Sequence, residues 1–229
     1  MTTKTAEAVS ADKPKGVDLS SVGGIKFRVR SVISGQLQGQ GAWAVASRAQ
    51  LRSALRREVG SVPAIWSLTL ADDSEKFRGD EPTRGERAIH TALTLWAFHQ
   101  GSHTAQMHRE WDKPERSIGA AVRQLAQQDR GSRERDEEHP VYKRLCAMIA
   151  APTFGSLTTH ARGLIGLLKS HEIPMDYGRF AADLFNWQDP HRRSAVLRAW
   201  GRDFARRPPK EESQDQPATA VTPTTSETH

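Results

Sequence analysis

Between its two polar ends the chain repeats apolar residues every three or four positions, the period of an α-helix with one inward face. No stretch alternates convincingly as a strand would. A first helix is predicted over about Ala42 to Val59, with Trp43, Ala46, Leu51 and Leu55 giving apolar contacts and Gly60 just past its end. A short helix starting at Pro63 carries Ile65, Trp66 and Leu68. Glu86 to Gln100 is apolar on most sides (Ile89, Leu93, Leu95, Trp96, Phe98), which predicts the most buried helix of the first half, ended by Gly101. Ser117 suits the N-cap of a helix bearing Ile118, Ala121, Val122 and Leu125.

The second half follows the same rule. Val141 to Ala150 reads as a helix broken by Pro152, and Ser156 opens another with Leu157, Ala161, Leu164 and Leu168 on one stripe. Pro174 separates it from a helix over Asp176 to Gln188, where Phe180, Leu184 and Trp187 face inward. Asp189-Pro190 is a strong start signal, a capping carboxylate followed by proline at the first helical position. The last helix then presents Val196, Trp200 and Phe204.

The predicted fold is therefore all-α, as two small helical bundles. Residues 25–127 form the first, 141–207 the second, and the charged loop 128–140 joins them. Residues 1–24 are small, polar and charged, and are expected to be a flexible leader. Residues 208–229, rich in Pro, Thr, Ser and acids, are expected to be a disordered tail.

Charge changes this picture more than composition does. The whole chain carries a net +6. Between Ser21 and Arg207 there are 29 Lys and Arg against 20 Asp and Glu, whereas Pro208 to His229 holds one Lys and four acids. A basic body with an acidic tail points to polyanionic partners, and the dominance of Arg suits phosphate contact. The lone Cys146 excludes an internal disulfide and a multi-cysteine zinc site. Its apolar neighbours predict a buried thiol in a chain compatible with a reducing cytoplasm. No uncharged apolar run is long enough for a transmembrane helix.

Arg48, Arg52 and Arg56 recur every four residues in the first predicted helix, broadened by Arg57. Such a ridge has about 6 Å between successive turns and can follow a phosphate backbone without reading bases. The final helix repeats the device with Arg198, Arg202 and Arg206, preceded by Arg192 and Arg193, although a helix C-terminus also favours cations for structural reasons. Arg162 and Lys169 form a third basic face, with Arg123, Lys143 and Arg144 as further candidates. His108 with Arg109 is expected at a phosphate or a partner, and His99 at a helix end. Gly101 interrupts the helical spacing between His99 and His103, and no HExxH acid is present, so no metal is expected.

No nucleophile elbow, P-loop or paired-acid motif occurs, and no cofactor is indicated. Asp72, Asp73, Asp80 and Glu81 are the one acidic set a metal-dependent nuclease would use, but their mixed-charge loop reads as solvated surface. Trp96, Trp187 and Trp200 fall on core stripes, leaving Trp111, beside Asp112 and Lys113, as the best candidate to stack on a base.

One ordered series of short patterns adds a resemblance. Ala92-Leu93-Thr94-Leu95-Trp96-Ala97-Phe98-His99-Gln100 is followed by Met107-His108-Arg109, Ser117-Ile118-Gly119 and Tyr142-Lys143-Arg144. Then come His160-Ala161-Arg162-Gly163-Leu164-Ile165, Pro174-Met175-Asp176-Tyr177, Trp187-Gln188 and Trp200-Gly201-Arg202-Asp203-Phe204. Over roughly Gly41 to Phe204 this resembles the CasB family, the small subunit of the type I-E CRISPR complex Cascade.

The resemblance implies an all-helical, non-enzymatic subunit present in two copies beside the large and backbone subunits of a complex carrying a CRISPR RNA. It also implies a basic surface near the R-loop that holds the displaced, single-stranded non-target DNA. A stand-alone nucleic-acid-binding regulator and a metal-dependent nuclease are the alternatives.

Overall fold

The computed structural model describes residues 17–70, 81–110, 116–131 and 135–206. The fold is all-α. Helix α1 (Val22–Val32) runs on through a π-helical turn at Ile33–Leu37 and is followed by α2 (Ala42–Ser53). A 3-10 turn at Pro63–Ile65 leads into the short α3 (Trp66–Thr69). Then come α4 (Arg84–Gln100), α5 (Ile118–Gln128), α6 (Pro140–Ile149), α7 (Phe154–Ser170), α8 (Tyr177–Trp187) and α9 (Pro190–Ala205). Among the described residues there is no strand, only one parallel bridge between His108 and Met175.

The helix starts are written in side-chain chemistry. Thr83 and Glu86 form a reciprocal capping box at α4, each side chain satisfying a backbone N–H that the first turn leaves unpaired. Ser117 accepts from Ala120 N–H at α5, Asp176 from Arg179 N–H at α8, and Asp189 from His191 N–H at α9. α7 begins earlier than the apolar stripe suggested. Thr153 and Ser156 make the capping box there, so Ser156 is the third helical residue instead of the cap.

Helix α1 lies outside the sequence prediction, which left Met1 to Gly24 as a leader. Its start falls inside that span, at Val22, with the Ser21 hydroxyl accepting from Gly24 N–H. Ile25, Val29, Val32 and Ile33 bury their side chains completely or nearly so, and α1 packs chiefly on α8. The two helices approach closely at Gly178, where a β-carbon would meet the stem of Arg30 and the carbonyl of Lys26. Arg30 also ion-pairs with the fully buried Asp176 at the start of α8. Removing either partner would strand a buried charge.

This packing redraws the two-bundle division. α1 packs on α8, α4 on both α7 and α8, and α5 on both α6 and α9. The apolar residues from Ile25 to Phe204 form one core. The 128–140 stretch therefore does not separate two cores, because an amphipathic helix from the first half finds its apolar partner in the second. Within it Asp136–Glu138 forms a 3-10 turn, and His139 caps α6; residues 132–134 lie outside the described set.

Trp96, Trp187, Trp200, Tyr177 and Phe180 are the large buried aromatics, so the three tryptophans predicted for the core are in it. Trp43, expected to make apolar contacts, is instead about half exposed, as is Trp66. Ala44, Ser47 and Leu51 form the buried face of α2, while Ala46 faces solvent. Cys146 is half-buried on α6. No helix among the described residues is long and apolar enough to cross a membrane. The expected flexible leader, apart from residues 17–24, and the acidic tail lie outside the described residues.

Candidate nucleic-acid interface

The first arginine ridge is interrupted. Helix α2 ends at Ser53, and the chain turns through residues 54–57 with Leu55 N–H bonded to Arg52 O and Arg57 N–H to Ala54 O. His90 of α4 is buried beside the carbonyls of Ala54 and Arg57, at the turn where a longer helix was expected. Arg48 is held at the other end. Its guanidinium donates to the carbonyl of Leu37 and, at 2.8 Å, to that of Gly39, satisfying groups exposed where the α1 segment ends.

Arg56 and Arg57 are left exposed in the turn, and across from them stands Arg162 of α7. Together with Arg87 of α4 they line one cavity of about 650 Å³ between the α2 turn, α4 and α7. Two of the three basic faces read from sequence thus meet, and Arg87 joins them. Glu58 and Glu81 also line the cavity, leaving four guanidiniums against two carboxylates. Glu81 ion-pairs with Arg87 at 3.3 Å. Arg56, Arg57 and Arg162 have no ion-pair or hydrogen-bond partner among the described residues. Arg52 is exposed on α2 just before the turn.

Arg87 was absent from the sequence-derived set. Its only signal was a place one turn into a helix whose other faces are apolar.

Other predicted residues are drawn into the fold. Arg123 of α5 donates to the carbonyls of Asp203 and Arg206, capping the C-terminal end of α9. Arg193 lies 4.0 Å over the Trp187 ring and donates to the Trp187 carbonyl, while Arg192 donates to Asn186 and stands 3.9 Å from the Asp189 carboxylate. Lys169 sits 4.9 Å over Phe98, separated from Arg162 in role though on the same helix. These contacts anchor cations to neighbouring aromatic rings and carbonyls.

His108 is buried, not displayed. Its Nδ1 accepts from Tyr177 N–H at 3.1 Å, and burial lowers its pKa, with the Asp176 carboxylate opposing that shift. Arg109 is exposed beside it, lining a second, shallower cleft with Arg116 and Glu110. His99 ends α4 as expected, but in the core: its Nδ1 shares a 2.8 Å hydrogen bond with the Tyr177 hydroxyl, and burial pushes its pKa down to about 4.

A second exposed basic set remains. Arg198 and Arg202 stand on α9 four residues apart, and Arg206 just beyond pairs with Asp203 at 3.8 Å. Lys143 and Arg144 are exposed on α6, which the stacking of Tyr142 on Phe204 (4.9 Å) brings alongside the end of α9. No three His, Cys, Asp or Glu side chains gather as a metal site among the described residues. Asp72, Asp73, Asp80 and Trp111 lie outside those residues.

Solved CasB proteins share this arrangement of helices. CasB from Thermobifida fusca is 30% identical, covers 82% of this chain and 98% of its own, and superposes with a TM-score of 0.62. Two more distant structures share the fold. One is a CRISPR-associated protein of the Cse2 family from Thermus thermophilus (23% identity, 80% and 97% coverage, TM-score 0.54). The other is CasB from M. ruber (19% identity, 79% and 91% coverage, TM-score 0.57). The sequence profile of CRISPR-associated protein Cse2 matches residues 47–204, and the chain belongs to that family. No curated protein sequence matches it.

Proposed function

We propose that this protein is the non-catalytic small subunit of a type I-E CRISPR Cascade complex, and that it holds the displaced non-target DNA strand. Its partners are then the large and backbone subunits, a second copy of itself, and the R-loop opened by the CRISPR RNA. The observation that carries this reading is the meeting of Arg56, Arg57, Arg87 and Arg162, from three separate elements, at the mouth of one groove.

Guanidiniums so placed attract phosphate and carry no base code, which is the chemistry required to hold a strand whose sequence changes with every target. Arg52 is exposed on α2, four residues before Arg56. Arg109, Lys143, Arg144, Arg198 and Arg202 are the further exposed cations available to the strand or to neighbouring subunits. Membership of the Cse2 family supports the setting.

The test is binding of a mixed-sequence single strand, read by fluorescence anisotropy over a range of salt. The wild-type protein is compared with Arg56→Ala/Arg57→Ala/Arg162→Ala. The triple variant should bind more weakly at low salt, with a slope of log affinity against log salt shallower by about two, and should melt at the wild-type temperature. Unchanged affinity and slope would remove the groove from the interface.

A further inference from the structure

Resting on the assignment of this groove to nucleic acid, we propose that the cavity behind the arginines seats one nucleobase of a single strand, with the adjoining phosphates on the guanidiniums. Phosphate contact alone needs only a surface. The space here is about 650 Å³, within the range of about 300–1,000 Å³ typical of small-molecule sites.

The lining changes character with depth. Arg56 and Arg57 are exposed at the mouth, whereas His90, Thr91, Thr94 and Leu95 of α4 are buried. Leu55 and the half-buried Phe154 supply further apolar surface.

Three threonines of the lining present acceptors. Thr94 donates its hydroxyl proton to the carbonyl of His90 at 2.8 Å. Thr158 and Thr159 donate theirs to the carbonyl of Gly155 at 2.9 and 3.0 Å. With those protons committed, the hydroxyl oxygens face a ligand as acceptors. His90 is 95% buried, and its Nδ1 has no hydrogen-bond partner among the described residues.

Acceptors set among apolar faces, behind a cationic mouth, fit a flat molecule that bears N–H donors and is joined to an anion. A nucleotide has that composition. Every DNA base carries at least one N–H on its pairing edge, the ring N–H of thymine or the amino group of the others, so the cavity accepts any base without selecting a sequence.

The experiment compares two strands of equal length and equal phosphate number, one intact and one abasic at every sugar. Each is titrated by fluorescence anisotropy against the full-length protein at one salt concentration. The intact strand should bind at least about fivefold more tightly. Thr91→Leu combined with Thr158→Leu fills the cavity from α4 and from α7 without changing charge. It should abolish that difference while leaving abasic binding unchanged. Should the double variant fail to fold, Thr158→Leu alone, at a half-buried position, carries the same comparison.

Equal binding of the two strands by the wild-type protein overturns base seating and leaves a groove that contacts phosphate only. A preference that survives cavity filling overturns it as well, because the base contact then lies elsewhere. A free mononucleotide that binds as tightly as the intact strand would show a small-molecule site and overturn the strand reading. Failure of both strands to bind contradicts the groove's assignment itself, a separate outcome from the loss of base preference.

Discussion

Gly119 of α5 lies against the backbone of Trp200 in α9 so closely that a β-carbon at Gly119 would overlap the Trp200 carbonyl oxygen. The neighbour is a backbone atom in mid-helix, which cannot swing aside as a flexible side chain would. Trp200 is itself fixed, with its indole N–H donating to Asp183 at 2.8 Å and its ring 6.5 Å from Phe180. Gly119→Ala should therefore lower unfolding free energy by about 2–3 kcal/mol, read from the midpoint of a denaturant titration. A midpoint equal to the wild type would mean that α5 and α9 can separate without cost.

The arginines divide into two kinds that sequence spacing alone does not distinguish. Arg48 and Arg123 donate to backbone carbonyls at the ends of other elements, whereas Arg52 and Arg198 are exposed. Arg48→Ala and Arg123→Ala should each cost about 1.5–3 kcal/mol of stability, the usual range for a hydrogen bond made by a charged group. Arg52→Ala and Arg198→Ala should change stability by less than about 0.5 kcal/mol. Parallel thermal melts of the four variants make the comparison; destabilisation by Arg52→Ala equal to that by Arg48→Ala would show the α2 ridge to be structural.

Acidification should weaken the fold through its buried histidines. Burial holds His99 near 4 and lowers His90 and His108 as well. Unfolded histidine titrates near 6.5, so below that pH the unfolded chain binds more protons than the native one. The stability these groups contribute is present above about 6.5 and is lost as pH falls toward 4, up to about 3 kcal/mol for His99.

Asp183, raised to about 6 by burial, acts in the opposite sense below pH 6, but it is one group against three. The melting temperature should fall between pH 7 and pH 5, and His99→Gln, which keeps a polar partner for Tyr177, should show a shallower fall. A melting temperature that rises over that range would contradict this assignment.

Much of the helical order was legible because the caps and breakers are strong local signals. Thr83-x-x-Glu86, Ser117, Asp176 and Asp189-Pro190 each act through backbone groups within one turn. Helix α1 was hidden by Gly23-Gly24 and by a thin apolar stripe, Ile25, Val29 and Val32, whose partner α8 lies about 150 positions away. The end of α2 was misread for a related reason. His90, distant in sequence, is buried beside the carbonyls of Ala54 and Arg57, and no local pattern shows that. For the interface, spacing identified Arg56, Arg57 and Arg162, but their convergence with Arg87 depends on the packing of α4 between α2 and α7. Tertiary packing likewise takes Arg48, Arg123 and Lys169 into structural contacts that charge counting cannot foresee.

Exchange of a DNA duplex for a guide heteroduplex is nearly balanced, so a few phosphate contacts are enough to decide how long the displaced strand stays open. Permanganate footprinting of the non-target strand, on matched target DNA bound by the assembled complex, reads that opening directly. Complexes containing wild-type protein should give an extended, long-lived reactive region. Complexes assembled with Arg56→Ala/Arg57→Ala/Arg162→Ala should bind the guide RNA equally well but show a shorter or shorter-lived one. The same footprint and lifetime in both complexes would contradict the strand-holding role and leave the protein as a spacer between larger subunits.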